Sequence, residues 1–217
     1  MKQHKGMKDL LEDVLIPAGQ VELEGTLDLP AGCWRVVVFA HGSGSSRFSP
    51  RNRFVAKGLS DRGIGTLLLD LLTAEEDLVY RTRFDINLLA TRLAYVTEWF
   101  NTRPDLKTAS LGLFGASTGA AAALETAAEA GQSIRAVVSR GGRPDLAEGY
   151  LHLVRCPTLL IVGGDDQDVL KLNRDAFRKL TCEKQLEVVP GATHLFEEPG
   201  KLEEVARLAG NWFERHL

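Results

Sequence analysis

The stretch GASTG, residues 115–119, follows the apolar run LGLF at 111–114 and precedes four consecutive alanines at 120–123. A short apolar run suits a buried strand, and small side chains suit a helix that packs closely against a sheet. Glycines at both ends of GASTG permit a tight, strained turn that lifts the side chain of Ser117 out of the sheet. The sequence therefore predicts a strand, a sharp turn that presents Ser117, and a helix.

Similar apolar runs recur along the chain, and segments with helical patterns separate them. The predicted buried strands are residues 36–40, 66–69, 111–114, 136–138 and 158–162, with a shorter strand-like run at 186–189. Residues 20–29 alternate imperfectly between apolar and polar, which is typical of an antiparallel strand near a sheet edge.

Helix signals lie between these strands. Ser49 and Pro50 form a typical helix start, and Gly63 ends the same segment. Thr82 and Asp85 resemble a capping box before an amphipathic stretch, and a final helix is predicted over residues 202–213. The alternation predicts an α/β fold with a doubly wound, mainly parallel sheet and helices on both faces. Functional side chains should then gather at the carboxyl ends of the strands.

The composition fits one globular domain over residues 1–217. The chain has 44% hydrophobic residues and a formal net charge of −3, and we find no internal repeat or linker. This charge balance gives no support to a nucleic-acid partner. No secretory leader or membrane span is expected, and three cysteines without CxxC spacing favour a cytoplasmic location. The sequence leaves the oligomeric state open.

Four short segments together resemble the α/β-hydrolases, and in particular the dienelactone hydrolase-like group. They are HGSG at 41–44, GASTG at 115–119, GGDD at 163–166 and GATH at 191–194, so the resemblance covers nearly the whole chain. One departure is that serine stands where dienelactone hydrolase itself has a cysteine nucleophile. The resemblance therefore implies the fold and a hydrolase, and lactone specificity is not carried over.

A serine nucleophile needs a base and a carboxylate that orients the base. The resemblance implies the chain order serine, acid, histidine. Among five histidines, only His194 follows the acid strand in a loop; the others are His4, His41, His152 and His216.

Three carboxylates compete for the acid position. We favour Asp166, because it lies where the Gly-x-x-Asp-x-x-Val turn of this fold places its acid, with Asp165 and Asp168 as alternatives. The predicted triad is therefore Ser117, Asp166 and His194.

The resemblance also implies an oxyanion hole built from backbone amides. We expect these amides to belong to Thr118, directly after the nucleophile, and to Ser43 in the glycine-rich loop at 41–46. The alternatives are a helix-capping serine at 117 and a merely flexible loop at 41–46. A phosphate cradle is a further alternative for this loop, although neither GxxxxGK[ST] nor GxGxxG is present.

Several arginines lie near predicted strand ends. Arg47, Arg83 and Arg140 are candidates for binding an anionic group of the substrate. The alternative is that these arginines are solvated or pair with structural acids such as Asp70, Asp85 and Asp145.

The leading functional hypothesis is a serine hydrolase that cleaves a small soluble carboxylic ester, or a related acyl compound, through an acyl-serine intermediate. The short segment between Val138 and Pro157 leaves little room for a lid, which favours small substrates. Thioesterase, amidase or peptidase activity would use the same triad, and a non-catalytic hydrolase-like binding protein is the remaining alternative. The expected partner is a small-molecule substrate, and no membrane partner, metal or cofactor is expected.

Overall fold

A computed structural model describes residues 8–217; His4 lies outside the described part of the chain. Within it, eight strands form one sheet in the order β1-β2-β4-β3-β5-β6-β7-β8. The strands are β1 Leu10–Ala18, β2 Val21–Leu29, β3 Arg35–Ala40, β4 Gly65–Leu69, β5 Ser110–Ala116, β6 Ala136–Arg140, β7 Thr158–Gly163 and β8 Lys184–Val189. β1 and β2 pair antiparallel, β2 joins β4 antiparallel, and the six strands from β4 to β8 in sheet order are parallel.

Helices cover both faces of this sheet. They are α1 Pro50–Ser60, α2 Ala74–Asp77, α3 Ile86–Thr102, α4 Thr118–Ala130, α5 Gln167–Lys179 and α6 Lys201–His216. α1 and α6 pack together on one face, and α3, α4 and α5 cover the other, so each face has its own apolar core. The predicted doubly wound α/β fold is confirmed. No helix in the described range combines the length and apolarity that crossing a membrane requires.

Two local features differ from the sequence analysis. β1, which was not predicted, forms the edge of the sheet; Leu11 and Leu15 are exposed on its outer face, so apolar residues on both faces obscure its alternation. The prediction of a capping box at Thr82 and Asp85 is wrong. Asp85 alone is the N-cap of α3, because the Thr82 hydroxyl donates to the Val79 carbonyl within the preceding 3-10 turn.

The register of the central strands brings two predicted loops together. Ala40 at the end of β3 lies opposite Gly115 near the end of β5, and the rings of Phe39 and Phe114 pack 4.8 Å apart behind them. Because the two strands are parallel, the loop at 41–46 and the turn at Ser117 emerge side by side at the carboxyl edge.

The close approach of α4 to β3 depends on Gly119. A Cβ at this position would lie 2.3 Å from the carbonyl oxygen of Ala40 and 2.5 Å from that of His41. We therefore expect Gly119→Ala to lower the free energy of unfolding by about 1–3 kcal/mol and Tm by about 2–10 °C. Urea and thermal unfolding measure both quantities.

Gly149→Ala is the matched control, because a Cβ there meets no atom within 4 Å. Its effect should stay within about 0.5 kcal/mol. Equal stability of the two variants would contradict the close packing of α4 on β3.

Candidate active site

Ser117 sits in a strained backbone turn between β5 and α4. Its φ of 51° and ψ of −121° lie in a region that non-glycine residues rarely adopt. The surrounding chain holds the turn: the Ser117 amide donates to the Arg140 carbonyl at 3.2 Å, and the Ser117 carbonyl accepts from the Arg143 amide at 3.1 Å. The side chain remains partly accessible at the carboxyl edge of the sheet. Strain maintained at an accessible serine is typical of a nucleophile turn.

Asp166 and His194 form a hydrogen-bonded pair. Oδ2 of Asp166 lies 2.7 Å from Nδ1 of His194, and the Asp166 side chain is 14% exposed. Asp166 occupies the N-cap position of α5, where an aspartate ordinarily accepts a backbone hydrogen bond, yet its side chain makes no such cap. The carboxylate instead accepts a hydrogen bond from the imidazole. Asp165 and Asp168, the alternatives, are exposed, and Asp168 lies in the first turn of α5.

The loop that carries His194 is fixed on both sides of the imidazole. The amide and hydroxyl of Thr193 donate to Oε1 of Glu198 at 3.1 and 2.5 Å, and the Ala192 carbonyl accepts from the Asp165 amide at 3.0 Å. Gly141 lies beside the imidazole, since a Cβ there would be 3.5 Å from both Cε1 and Nδ1 of His194. Glu198 carries no recognisable signal in the sequence, because its contact with Thr193 depends on how the loop folds back.

Ser117 and His194 are both anchored to the end of β6. Ser117 is bonded to the carbonyl of Arg140, and the His194 ring packs against the next residue, Gly141. Within residues 8–217, no direct hydrogen bond joins the Ser117 hydroxyl to the imidazole. Such bonds commonly shorten only when substrate binds. The absence of this bond in the ligand-free structure is therefore compatible with proton transfer in a substrate complex.

The two predicted oxyanion donors lie next to each other. The Ser43 amide donates to the hydroxyl of Thr118 at 2.9 Å, so this amide already has an acceptor. A substrate oxygen would have to replace or share that bond. Thr118 itself is buried at the start of α4.

His41, which the chain order excluded as a base, holds the glycine-rich loop. The Leu71 amide donates to Nε2 of His41 at 3.2 Å, so the proton is on Nδ1, which donates to the Gly42 carbonyl at 2.9 Å. This bond fixes the peptide between Gly42 and Ser43, and with it the direction of the Ser43 amide. In the sequence, the only sign of this role of His41 is that it stands directly before Gly42 at the end of a predicted strand.

The three candidate arginines do not meet at one point. Arg47 pairs with Asp70 and with Glu24, the latter at 2.6 Å. Arg83 pairs with Asp77 at 2.8 Å and lies beside Gly44 of the glycine-rich loop. Arg140 is buried on the α1 side of the sheet and has no carboxylate partner in the described residues.

A cavity of about 500 Å³ lies next to His41 and Arg47. Its lining is acidic, with Glu22, Glu24, Asp70, Glu75 and Asp77. Such a surface favours a neutral or cationic group over an anion. Ser117 and His194 do not line this cavity.

The cysteines lie away from Ser117. Cys33, Cys156 and Cys182 precede β3, β7 and β8, at the opposite edge of the sheet. Burial raises the pKa of the Cys156 thiol to about 12 and also raises the pKa values of Cys33 and Cys182. Since the thiolate is the reactive form, these cysteines are poor nucleophiles. Within residues 8–217, no group of three or more His, Cys, Asp or Glu side chains is placed to hold a metal ion.

Comparison with known proteins gives strong similarities in both sequence and structure. The sequence profile of the dienelactone hydrolase family matches residues 73–216. The crystal structure of a dienelactone hydrolase from Anabaena variabilis superimposes with a TM-score of 0.94 and 52% identity, and covers 97% of this chain and 100% of that chain. Est1E from Butyrivibrio proteoclasticus has a TM-score of 0.80 at 15% identity, covering 94% and 98%, and shows the fold alone.

A protein of Mycobacterium tuberculosis, found in two strains, is also similar. It is 57% identical over 206 residues, which make up 95% of this chain and 46% of the relative. It is provisionally named a phosphoribosyl transferase. The chain thus spans about half the length of these curated relatives.

Proposed function

Because the chain belongs to the dienelactone hydrolase family, we propose that it cleaves a small carboxylic ester through an acyl-serine intermediate. The observation that carries this proposal is the 2.7 Å bond between Asp166 and His194, formed at the sheet edge that also presents Ser117 in a strained turn. A binding protein has no need of this combination.

The first half of the reaction forms the acyl-enzyme. Oγ of Ser117 attacks the ester carbonyl while Nε2 of His194 accepts the hydroxyl proton. Asp166 holds the proton on Nδ1, which leaves the Nε2 lone pair free, and stabilises the imidazolium that forms. The amides of Ser43 and Thr118 would donate to the oxygen that becomes negatively charged. As the tetrahedral intermediate collapses, the imidazolium gives its proton to the departing alcohol.

The second half returns the enzyme to its starting state. Water attacks the acyl-serine carbonyl and gives its proton to Nε2 of His194. The bond between the acyl carbon and Oγ of Ser117 then breaks, and Oγ regains the proton from the imidazolium. The products are one carboxylic acid and one alcohol.

One feature of the fold supports a small substrate, and two others indicate where its parts would bind. The segment between β6 and β7 contains only the short 3-10 helical stretch Pro144–Leu153, so it supplies no large inserted lid. The acidic cavity beside the glycine-rich loop would suit a neutral or cationic part of the substrate. Arg83 lies beside Gly44. It is therefore the arginine placed to contact a substrate group that binds next to the oxyanion amides.

The name of the mycobacterial relative does not suggest a competing function for this chain. The chain matches only 46% of that relative, so a name given to the whole relative does not assign an activity to the matched part. We therefore propose hydrolysis for this chain and carry over no transferase activity from the relative's name.

Turnover of short esters tests the proposal. We expect hydrolysis of p-nitrophenyl acetate and butyrate by the protein, and a loss of about 10⁴-fold or more in kcat for His194→Ala. His152→Ala is the control, because His152 is exposed in the segment between β6 and β7. Acetyl thioester and anilide substrates of matched size distinguish esterase from thioesterase and amidase activity. Equal turnover by the protein and His194→Ala would overturn the proposal.

A further inference from the structure

The hydroxyl of Thr118 is bonded differently from those of the other threonines in α3 and α4. Each of the others donates its hydroxyl hydrogen to a backbone carbonyl: Thr91 to Asn87, Thr97 to Leu93, Thr102 to Trp99 and Thr126 to Ala90. The Thr118 hydroxyl instead accepts a hydrogen bond from the Ser43 amide at 2.9 Å. Within residues 8–217, no protein atom accepts its own hydrogen.

A hydroxyl hydrogen without an acceptor is uncommon in a buried side chain, and Thr118 is only 3% exposed. A hydroxyl has one donor and two lone pairs, so it can accept from Ser43 and donate to another atom at the same time. Leaving the donor unused inside the protein costs free energy. The Thr118 hydroxyl is therefore ready to donate to an acceptor that does not belong to the protein.

This hydroxyl is linked to both amides of the expected oxyanion hole. It is bonded to the Ser43 amide, and it belongs to the residue that carries the other amide. The adjacent Gly42 contacts the nucleophile, since a Cβ there would lie 3.0 Å from Cβ and 3.7 Å from Oγ of Ser117. A substrate oxygen that shares the Ser43 amide would therefore come within hydrogen-bond reach of the Thr118 hydroxyl.

Space for one further atom lies beside Thr118. A cavity of about 10 Å³ is lined by Thr118, by the loop residues Gly42, Ser43 and Gly44, and by side chains that include Leu89. A volume of about 10–15 Å³ is what one water-sized group needs. The cavity can admit a single oxygen, either from a substrate or from a structural water, and these two occupants predict different effects when the hydroxyl is removed.

We propose that the Thr118 hydroxyl is a third donor of the oxyanion hole, in addition to the two backbone amides. As Oγ of Ser117 attacks the ester, the hydroxyl donates to the carbonyl oxygen that becomes negatively charged. The proton stays on Oγ1 of Thr118 throughout, so the hydroxyl takes part in no proton transfer. This inference rests on the proposed function and names a further catalytic residue for it.

Removal of the hydroxyl at nearly constant shape tests the inference. We expect Thr118→Val to lower kcat for p-nitrophenyl butyrate by about 10²- to 10³-fold, as for the loss of one oxyanion donor. KM should change by less than about threefold, because the lost bond strengthens only in the transition state. Thr118→Ser, which restores a hydroxyl, should recover most of the loss. Thr118→Ala should show the same loss as Thr118→Val, so the result does not depend on the folding of one variant.

Thr126→Val is the matched control. Thr126 lies in the same helix, is 1% exposed, and donates its hydroxyl to the Ala90 carbonyl at 3.2 Å. Its removal leaves a buried carbonyl without this donor, so Tm should fall at least as far as in Thr118→Val. Its kcat should nevertheless stay within about twofold of the original.

A transition-state analogue separates direct donation from a structural role. An alkyl trifluoromethyl ketone adds to a catalytic serine and places a negatively charged oxygen in the oxyanion hole. Its inhibition constant should rise by about 10²- to 10³-fold in Thr118→Val, in parallel with the loss in kcat.

Three results would overturn the inference while the proposed function stands: equal kcat in Thr118→Val and the unaltered protein, an unchanged inhibition constant, or Thr118→Ser as impaired as Thr118→Val. A protein that neither hydrolyses esters nor binds the ketone would refute the proposed function, and this inference with it.

Discussion

Replacement of Ser117 by alanine is expected to lower kcat for ester hydrolysis by about 10⁴- to 10⁶-fold. This loss corresponds to about 5–8 kcal/mol of transition-state stabilisation. The physical reason is that no acyl-enzyme can form without Oγ, so only the oxyanion amides and substrate binding still contribute. Steady-state kinetics with p-nitrophenyl butyrate measures the effect, with background hydrolysis subtracted.

Ser110→Ala provides the comparison for this variant. Ser110 begins the same strand, β5, at the edge opposite to Ser117. Its kcat should stay within about twofold of the original, since surface substitutions away from special features have small effects. Both variants should unfold at nearly the original Tm. A folded Ser117→Ala protein that retains most of its activity would exclude Ser117 as the nucleophile.

Asp166→Asn is expected to lower kcat by about 10⁴-fold. The carboxylate accepts a hydrogen bond from Nδ1 of His194 at 2.7 Å, which leaves Nε2 unprotonated. An amide can instead donate to Nδ1, and this places the proton on Nε2, where it blocks acceptance of the serine proton. Because asparagine has nearly the same shape as aspartate, Asp166→Asn should lower kcat with little change in Tm.

The neighbouring acids give this experiment its controls. Asp165→Asn and Asp168→Asn remove one charge each from the same loop and helix start, yet both side chains are exposed. Neither should lower kcat by more than about threefold. If Asp165→Asn or Asp168→Asn caused the large loss and Asp166→Asn did not, the assignment of the acid would be wrong.

The sheet and the turn at Ser117 could be predicted because local chemistry determines them. Continuous apolar runs require burial on both faces, and the small residues around Ser117 permit the close packing that Gly119 shows against the Ala40 carbonyl. β1 could not be predicted in the same way, because Leu11 and Leu15 on its exposed face hide the two-residue period. The predicted capping box at Thr82 was wrong because the Thr82 hydroxyl donates to a carbonyl of the preceding turn and does not cap α3.

The sequence was enough to predict which residues form the candidate triad, but not which side chains contact one another around it. Chain order selected His194, and the Gly-x-x-Asp-x-x-Val turn selected Asp166. The structure places the two side chains in hydrogen-bond contact; their catalytic roles stay predictions. The sequence could not show that Arg47 pairs with Glu24, or that Arg140 lacks a carboxylate, since these facts depend on strands and helices far apart in the chain. The bond between the Ser43 amide and the Thr118 hydroxyl likewise joins residues 75 positions apart.

The central claim is that Ser117 is an activated nucleophile. Its most direct test is treatment of the protein with a fluorophosphonate, followed by mass spectrometry of the intact chain and of its peptides. We predict one adduct per chain, on Ser117, with labelling lost in Ser117→Ala and strongly slowed in His194→Ala. A folded protein that takes up no label, or takes it up on another residue, would contradict the account.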